Sequence, residues 1–408
     1  MNHFQTQPEA NDVVLGGQAL TPDGLVLGGF SGIQTRLRNP QEAVRQAALV
    51  EAMQQGDPGL ALVLHALQDH SPRVQWTAYQ LLQQWAVTIA DTLEQERWYV
   101  KILLTLRSFN PWPLFSNLLS IQAHSQPVTG LAISPDGQTL ISSSLDKTIK
   151  LWHVPTGQLR HTLVGHSDWV SAIALTPDGT TLVSGSMDRS IKLWDLTTPQ
   201  LQRIFTSPNS FVKAIAISPD QQTILSGGVD GGLTLWDSPS GQLRQHLSGH
   251  HSVIQAVCFS PDQRFAASGS ADGVILLWDL ATGRAIATLH GHLNSITSLV
   301  WHPEQSALIS SSTDKTLILW DIKNQTLQHR FIGHLNEIHA LCLSNNGKTI
   351  MSSGSDAAIN IWNLRTRKLQ HTLVGHQSSV LSLASNQGGT QIISGSMDGK
   401  INVWGVKD

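Results

Sequence analysis

The sequence predicts a mainly β fold made of seven similar units, with a smaller α-helical region ahead of them. The strongest observation is a tryptophan that recurs every 42 residues without slippage. A fixed period of about 40–45 residues is typical of a closed or stacked array of small β units. The seven tryptophans are Trp152, Trp194, Trp236, Trp278, Trp320, Trp362 and Trp404.

The second observation is a set of polar residues at fixed distances from each tryptophan. An aspartate lies six residues before each tryptophan, and a serine lies four residues before each aspartate. The aspartates are Asp146, Asp188, Asp230, Asp272, Asp314, Asp356 and Asp398, and the serines are Ser142, Ser184, Ser226, Ser268, Ser310, Ser352 and Ser394. A histidine also precedes each unit, except that Pro208 stands at this position in the third. The histidines are His124, His166, His250, His292, His334 and His376.

The third observation is a strand-and-turn pattern between these anchors. Ile149-Lys150-Leu151-Trp152 alternates apolar and polar residues, as a half-buried strand does. Ser134-Pro135-Asp136-Gly137 is a turn sequence, because proline presets φ and glycine allows a positive φ. Each unit therefore has room for about four strands joined by tight turns.

Together these residues resemble the WD-repeat β-propeller family. The order Gly-His, Ser-Pro-Asp-Gly, Ser-Gly-Ser-x-Asp and Leu-Trp-Asp is the signature of that family, and the resemblance covers residues 115–408. It implies a seven-bladed propeller with a four-stranded sheet in each blade. It also implies that the histidine, serine, aspartate and tryptophan of a blade form a structural tetrad joined by hydrogen bonds.

The length of the repeat region agrees with a closed ring, and we assign residues 113–408 to it. Only four residues follow Trp404, which leaves the last blade without an outer strand. Residues 115–121 precede His124 as Leu159–Val164 precedes His166. We therefore expect residues 115–121 to supply the missing strand and to remove an exposed sheet edge.

Two regions precede the propeller. Residues 1–30 are glycine-rich and are expected to be partly extended, whereas residues 31–110 carry a helical pattern. An apolar face of the first helix is marked by Ala43, Val44, Ala47, Ala48 and Ala52. We expect a helix break at residues 56–59 and a further helix over residues 87–108. Segments that begin at Val44 and Val74 resemble short HEAT-type helical repeats, which also occur in bilin-lyase-related proteins.

Composition excludes several functional classes. The net charge is −3 and no basic run appears, so the electrostatic footprint of a nucleic-acid-binding protein is missing. No apolar run approaches the ~18 residues of a membrane span, and the N-terminus lacks a signal-peptide pattern. Cys258 and Cys342 lie in equivalent strands two blades apart, too far to pair. We expect a cytoplasmic protein without membrane insertion.

The residue pattern does not predict a catalytic, cofactor or metal site. The periodic histidines are spread around the ring, whereas zinc needs three or four ligands at one point. The serine, histidine and aspartate of a hydrolase triad do recur here, but they recur in six blades, and an active site usually occurs once. No Gly-x-Ser-x-Gly turn is present. We expect a protein that is not an enzyme.

The positions that vary between blades are where a partner can be specified. In the WD-repeat family, which includes the β subunit of heterotrimeric G proteins, three positions per blade contact partners on the top face. They are the residue before the apolar residue that follows the tetrad histidine by four places, the residue after that apolar residue, and the residue before the tetrad aspartate. Carried onto this sequence, two of these three series become apolar on blades one to four, whereas blades five and six carry Ser, Thr, Glu and His. Blade seven adds Leu381 and Met397. The predicted binding residues are Leu145, Trp169, Met187, Phe211, Lys213, Val229, Val253, Leu381 and Met397.

These patterns favour a scaffold or adaptor whose top face binds a protein or peptide segment, with the helical domain as a second docking site. An apolar arc with polar surroundings is typical of a binding site. An alternative is that the helical domain itself covers the arc. Two other functions stay open, namely a regulatory subunit of a pigment-protein or chromophore-processing complex and an enzyme with a site at the channel mouth.

Overall fold

The chain divides into two compact units, Met1–Phe115 with Val406–Asp408, and Ser116–Gly405. The computed structural model describes residues 29–88, 101–102, 105–106, 109–207, 210–304, 306–386 and 389–406. The described residues leave out most of the glycine-rich segment 1–30, most of the expected helix 87–108, and Pro208.

Four α-helices of the first unit have both ends among the described residues. They are α1 (Gly29–Arg36), α2 (Glu42–Ala52), α3 (Gly56–His65) and α4 (Pro72–Thr88). The Ser71 hydroxyl accepts the Val74 amide at 3.3 Å and so caps α4, while Pro72 takes the first helical position. None of the helices in the described ranges has the length and apolar character needed to cross a membrane.

The buried face of α2 differs from the predicted one. The pattern marked Ala43 and Ala47, but both are exposed. The residues that α2 buries are Arg45, Ala48, Leu49 and Ala52. Arg45 can be buried because its guanidinium donates to the Asn39 carbonyl at 2.7 Å and pairs with Asp69 at 3.2 Å. The prediction from apolar residues alone was therefore wrong about which face of α2 is buried.

The predicted helix break at residues 56–59 lies inside α3. Gly56 has a φ of 62°, and this single residue ends the preceding 3-10 turn, Met53–Gln55. Pro58 then falls in the first turn of α3, where the missing amide of proline breaks no helical hydrogen bond. The break is one residue long rather than a loop.

The second unit is a ring of seven four-stranded antiparallel sheets, which confirms the predicted fold class. Blades one to three contain β2 (Val128–Ile133), β3 (Thr139–Ser144), β4 (Thr148–His153), β5 (Gln158–Val164), β6 (Val170–Leu175), β7 (Thr181–Ser186), β8 (Ser190–Asp195), β9 (Gln200–Thr206), β10 (Val212–Ile217), β11 (Thr223–Gly228), β12 (Leu233–Asp237) and β13 (Leu243–Leu247). Blades four to six contain β14 (Ile254–Phe259), β15 (Phe265–Ser270), β16 (Ile275–Asp279), β17 (Arg284–Leu289), β18 (Ile296–Trp301), β19 (Ala307–Ser312), β20 (Thr316–Asp321), β21 (Thr326–Ile332), β22 (Ile338–Leu343), β23 (Thr349–Gly354), β24 (Ala358–Asn363) and β25 (Lys368–Val374). Blade seven contains β26 (Val380–Ser385), β27 (Ile392–Ser396), β28 (Lys400–Val406) and β1 (Phe115–Gln122).

Blade seven joins the two ends of the repeat region in one sheet. Its outer strand is β1, which precedes blade one in the sequence and pairs with β28. Ser120 Oγ donates to Asn402 Oδ1 at 2.6 Å, and the Ala123 amide donates to the Gly399 carbonyl at 3.0 Å. The segment that we expected to complete the ring thus lies in the outer-strand position.

Every blade is arranged in the same way around a central channel. The first strand of a blade lies beside the channel, and the third strand carries the repeated tryptophan. Apolar clusters fill the spaces between neighbouring blades, for example Val128 and Leu140 of blade one with Ile393 of blade seven. Because the strands alternate in direction, the loops between blades and the loops between second and third strands share one end of the ring. We call this end the top face.

Candidate functional site

Among the described residues, four blades contain a full hydrogen-bonded tetrad. In blade two, Trp194 Nε1 donates to Ser184 Oγ at 2.8 Å. The Ser184 hydroxyl lies 2.8 Å from His166 Nε2, and His166 Nδ1 lies 2.8 Å from Asp188 Oδ2. Since a carboxylate only accepts, Nδ1 carries the proton and Nε2 accepts from the serine. Blades one, five and six have the same three bonds.

The electrostatics of the tetrad suit a structural network. Burial lowers the pKa of His166, so that its ring is neutral near pH 7. Burial acts to raise the pKa of Asp188, but hydrogen bonds from Ser190 and His166 outweigh it and lower that pKa to about 2. Ser184 is fully buried, so its hydroxyl is closed to a substrate. The tetrad fixes the loop between blades rather than forming a hydrolytic site.

Blades four and seven have shorter networks. Their tryptophan–serine and serine–histidine bonds are present at 2.6 to 2.8 Å. Asp272 and Asp398 are exposed, however, and within the described structure neither makes a hydrogen bond or ion pair with His250 or His376. The repeat pattern predicted these aspartates as tetrad members, and the structure separates them from the histidines.

Blade three departs furthest from the pattern. Its described tetrad residues keep the bond from Trp236 Nε1 to Ser226 Oγ at 2.8 Å, while Asp230 is exposed. Beside them lies a cavity of about 350 Å³ whose lining includes Ser226, Trp236, Thr234 and His246. The loop that enters blade three is therefore held by fewer described side-chain bonds than its counterparts.

The predicted binding residues come together on blades two and three of the top face. The Met187 amide donates to the Trp169 carbonyl at 2.9 Å, and the Val229 amide donates to the Phe211 carbonyl at 3.1 Å. On each of these two blades, the bond places the residue before the first strand beside the residue before the tetrad aspartate. Trp169 is 49 % exposed and Phe211 is 39 % exposed. We call Trp169, Met187, Phe211 and Val229 the top arc.

The other predicted residues are more scattered. Leu145 and Val253 are half-buried on blades one and four, and Met397 is 54 % exposed on blade seven. Lys213 and Leu381 do not lie on the outer surface of the top face, because both line the central channel. They follow the first residue of β10 and β26, where the strand register shifts at a β-bulge. A bulge re-aims the side chain of the extra residue.

Sequence reasoning missed several exposed residues near these positions. The Arg189 guanidinium lies 5.0 Å from the centre of the Phe211 ring and so links blades two and three. Leu293 and Leu335 are 91 % and 84 % exposed on blades five and six, which the three series had marked as polar. Both directly follow a tetrad histidine, a position outside the three series. Comparing that position across blades would have found them.

Other chemistry-bearing groups do not converge. Among the described residues, no three histidine, cysteine, aspartate or glutamate side chains lie close enough to hold a metal ion. Cys258 and Cys342 are free thiols, and burial raises the pKa of Cys258 to about 12. At the channel mouth, His339 Nε2 lies 2.7 Å from Ser355 Oγ, and burial lowers the pKa of His339.

Comparisons with known proteins agree with this geometry. A family model described as "WD domain, G-beta repeat" matches residues 115–153, 157–195, 199–237 and 367–405. The chain is a WD40-repeat propeller. A propeller model described as WDR41 matches residues 237–372, the region between the third and fourth of those repeats. The WD40 propeller fold is typical of protein-interaction scaffolds and is generally non-catalytic.

One curated relative matches a short part of this chain. This is Protein FIZZY-RELATED 1 of Arabidopsis thaliana, which is 39 % identical over 57 residues. The alignment covers 13 % of this chain and 12 % of the relative. The match thus spans about an eighth of the relative's length.

Proposed function

We propose that this protein is a non-catalytic scaffold or adaptor that captures a protein or peptide segment on the top arc. The observation that carries the proposal is the pairing of an exposed aromatic residue with an apolar neighbour on two adjacent blades. Trp169 pairs with Met187, and Phe211 pairs with Val229. Exposed aromatic side chains beside adaptable methionine are characteristic of binding hot spots.

The positions of the two aromatic residues support a partner that lies across the surface. Trp169 and Phe211 are exposed at equivalent positions of neighbouring blades, so an extended segment can contact both. Arg189 stacks on Phe211 and limits the freedom of that ring before any partner arrives. Restricting a side chain in advance reduces the entropy that binding must remove.

The helical unit supports a second docking site. Helix α2 exposes Ala43, Ala47 and Val50, which follow the spacing of one helix face. We propose that this helical unit is HEAT-like and uses that stripe to contact a second partner. Two binding sites on one chain raise the effective concentration of one partner near the other without new chemistry.

The first experiment is a quantitative pull-down with three versions of the full chain. One is the wild type, and one is the Trp169→Ala/Met187→Ala/Phe211→Ala variant. The control is Leu293→Ala/Ile332→Ala/Leu335→Ala, which removes three apolar side chains from blades five and six that are more exposed than those of the top arc. Thermal midpoints show whether each variant folds.

If the proposal is correct, one or a few proteins are captured by the wild type and by the control variant but not by the top-arc variant. Each candidate is then purified and titrated against the three versions, and its affinity should fall about tenfold or more for the top-arc variant, as hot-spot truncation typically gives. Equal affinity for the wild type and the top-arc variant would refute the top arc as the binding site. Loss with the control variant instead would move the site to blades five and six.

A further inference from the structure

The central channel is lined by one ring of seven equivalent residues at its top end. Each is the second residue of an inner strand, and each falls at the register shift of a β-bulge. The bulge directs the side chain toward the axis. The channel encloses about 370 Å³. The ring residues are Thr129, Ser171, Lys213, Gln255, Thr297, His339 and Leu381.

Most polar groups of this ring already have partners in the protein. Thr129 Oγ1 donates to the Val170 carbonyl of the next blade at 2.6 Å. Thr297 Oγ1 lies 2.8 Å from Ser311 Oγ. Ser171 and His339 are bonded as well. The hydroxyls and the imidazole are thus engaged in holding neighbouring strands.

Lys213 and Gln255 remain, and of these two Lys213 is the one that carries a charge. Its ammonium group makes no hydrogen bond or ion pair with any residue in the described part of the chain. Among the described residues that line the channel there is no aspartate or glutamate, so no carboxylate balances it there. Burial lowers the pKa of Lys213, which reflects the lost hydration of the amine. A partly desolvated cation without a counter-charge favours an anion from outside.

Lys213 is also next to the top arc. It lies two residues beyond Phe211, and two residues of a strand span about 6.6 Å. An extended peptide has the same rise per residue. When one of its side chains contacts Phe211, the side chain about two positions away therefore reaches the channel mouth.

We propose that the channel mouth binds the carboxylate of an aspartate or glutamate in the captured segment, through the Lys213 ammonium group. The partner is thus an acidic residue flanked by apolar or aromatic residues. This inference rests on the proposed function of the top arc, because the apolar residues of the same segment anchor it there. It adds a charge requirement to a surface otherwise defined by apolar contacts.

The test selects random displayed peptides on four versions of the full chain. These are the wild type, Lys213→Met, the top-arc triple variant, and Lys315→Met as a matched control on an exposed lysine of blade five. The proposal expects enrichment of Asp or Glu near apolar residues on the wild type and on Lys315→Met. On Lys213→Met the apolar preference remains and the acidic preference is lost.

A double-mutant cycle then measures the contact directly. One selected peptide is synthesised with its acidic residue and with Gln or Asn in its place. The change should weaken binding to the wild type about tenfold, as a charge-assisted hydrogen bond does, and leave binding to Lys213→Met nearly unchanged. An equal loss on both proteins, or no loss on the wild type, overturns the channel proposal.

Three further outcomes separate this inference from the proposed function. If the selected peptides bind the top-arc triple variant as tightly as the wild type, the top arc is not the anchor and the proposed function fails. If inorganic phosphate displaces the acidic peptide but not its neutral analogue, Lys213 is an anion site as proposed. If phosphate binds the wild type and the peptides show no acidic preference, the site takes free anions and the peptide proposal is overturned.

Discussion

The unequal tetrads allow a prediction with an internal control. Asp188 in blade two and Asp272 in blade four occupy the same repeat position. Asp188 accepts four hydrogen bonds, two from Ser190 and one each from His166 and the Ser167 amide. Asp272 accepts from the Val274 amide at 3.0 Å and is exposed. Replacing each aspartate with asparagine should therefore have very different effects.

The magnitude follows from the environment of Asp188. Its side chain is 6 % exposed, and its pKa falls from 3.8 to about 2. At roughly 1.4 kcal/mol per unit, ionised Asp188 contributes about 2 kcal/mol to the free energy of unfolding. An asparagine amide also turns one acceptor into a donor that faces another donor, so we expect a total loss of ~2–4 kcal/mol. Asp272→Asn should stay within ~0.5 kcal/mol of the wild type.

The assay is equilibrium urea unfolding of the wild type, Asp188→Asn and Asp272→Asn at pH 7, followed by tryptophan fluorescence and circular dichroism. A second series varies the pH. The folded pKa of Asp188 is depressed, so its contribution is full above about pH 4 and is lost as the pH falls toward 2. The gap between the wild type and Asp188→Asn should narrow over that window.

Two results would refute this reasoning. One is that Asp272→Asn lowers the free energy of unfolding as much as Asp188→Asn does. The other is that the deficit of Asp188→Asn stays constant from pH 5 to the acid limit of the folded state. Either result would mean that the extra bonds of Asp188 do not stabilise the propeller.

Two further predictions concern the closing strand and the thiols. Removing residues 1–123 should lower the thermal midpoint by about 5 °C or more relative to removing residues 1–110, because it deletes β1, exposes the edge of β28 and leaves a gap where Ile121 is buried. Equal melting of the two truncations, measured by circular dichroism, would show that β1 does not stabilise the ring. Cys258, whose pKa burial raises to about 12, should react with a thiol reagent at pH 8 only after urea unfolding. Stoichiometric labelling of Cys258 in the native protein, read by mass spectrometry, would contradict this.

The fold class could be predicted because side-chain spacing alone specifies the repeat. A tryptophan every 42 residues fixes the third strand of each blade, and the turn sequences fix the strand ends. The inward aim of Lys213 could not be predicted in the same way. The inward direction depends on a β-bulge in the first strand of the blade. Because all seven blades share this bulge, no difference in sequence between the blades reveals it.

The lack of a described histidine–aspartate bond in blades four and seven could have been predicted from the sequence. Blades three, four and seven have glycine directly after the aspartate, as at Gly273 and Gly399, where other blades have a larger residue. A Cβ on Gly399 would meet the His124 carbonyl oxygen, and one on Gly273 would lie 3.0 Å from the Asn294 carbonyl oxygen. The next blade's loop therefore approaches these glycines closely. The aspartate before each of them is exposed, and asking which blades have Asp-Gly would have predicted this.

The helical unit shows why apolar spacing can mislead. In α2 the sequence marks Ala43 and Ala47 as core, yet the buried residue in that turn is Arg45. Its guanidinium donates to the Asn39 carbonyl and forms an ion pair with Asp69. Those partners come from the loops at the ends of α2 and α4, so the burial of Arg45 could not be deduced from the periodicity of α2 alone.

Blade three combines the incomplete tetrad with two residues of the proposed binding surface, Phe211 and Lys213. In the other six blades a histidine from the entering loop bonds the tetrad serine, so a substitution in that loop risks a buried hydrogen-bond network. In blade three the described network is the single bond from Trp236 to Ser226. Changes in the loop that carries Phe211 therefore disturb fewer buried bonds. A binding surface has to tolerate the substitutions that fit it to a partner. Blade three tolerates such substitutions at the lowest cost in stability, because its buried hydrogen bonds depend least on that loop.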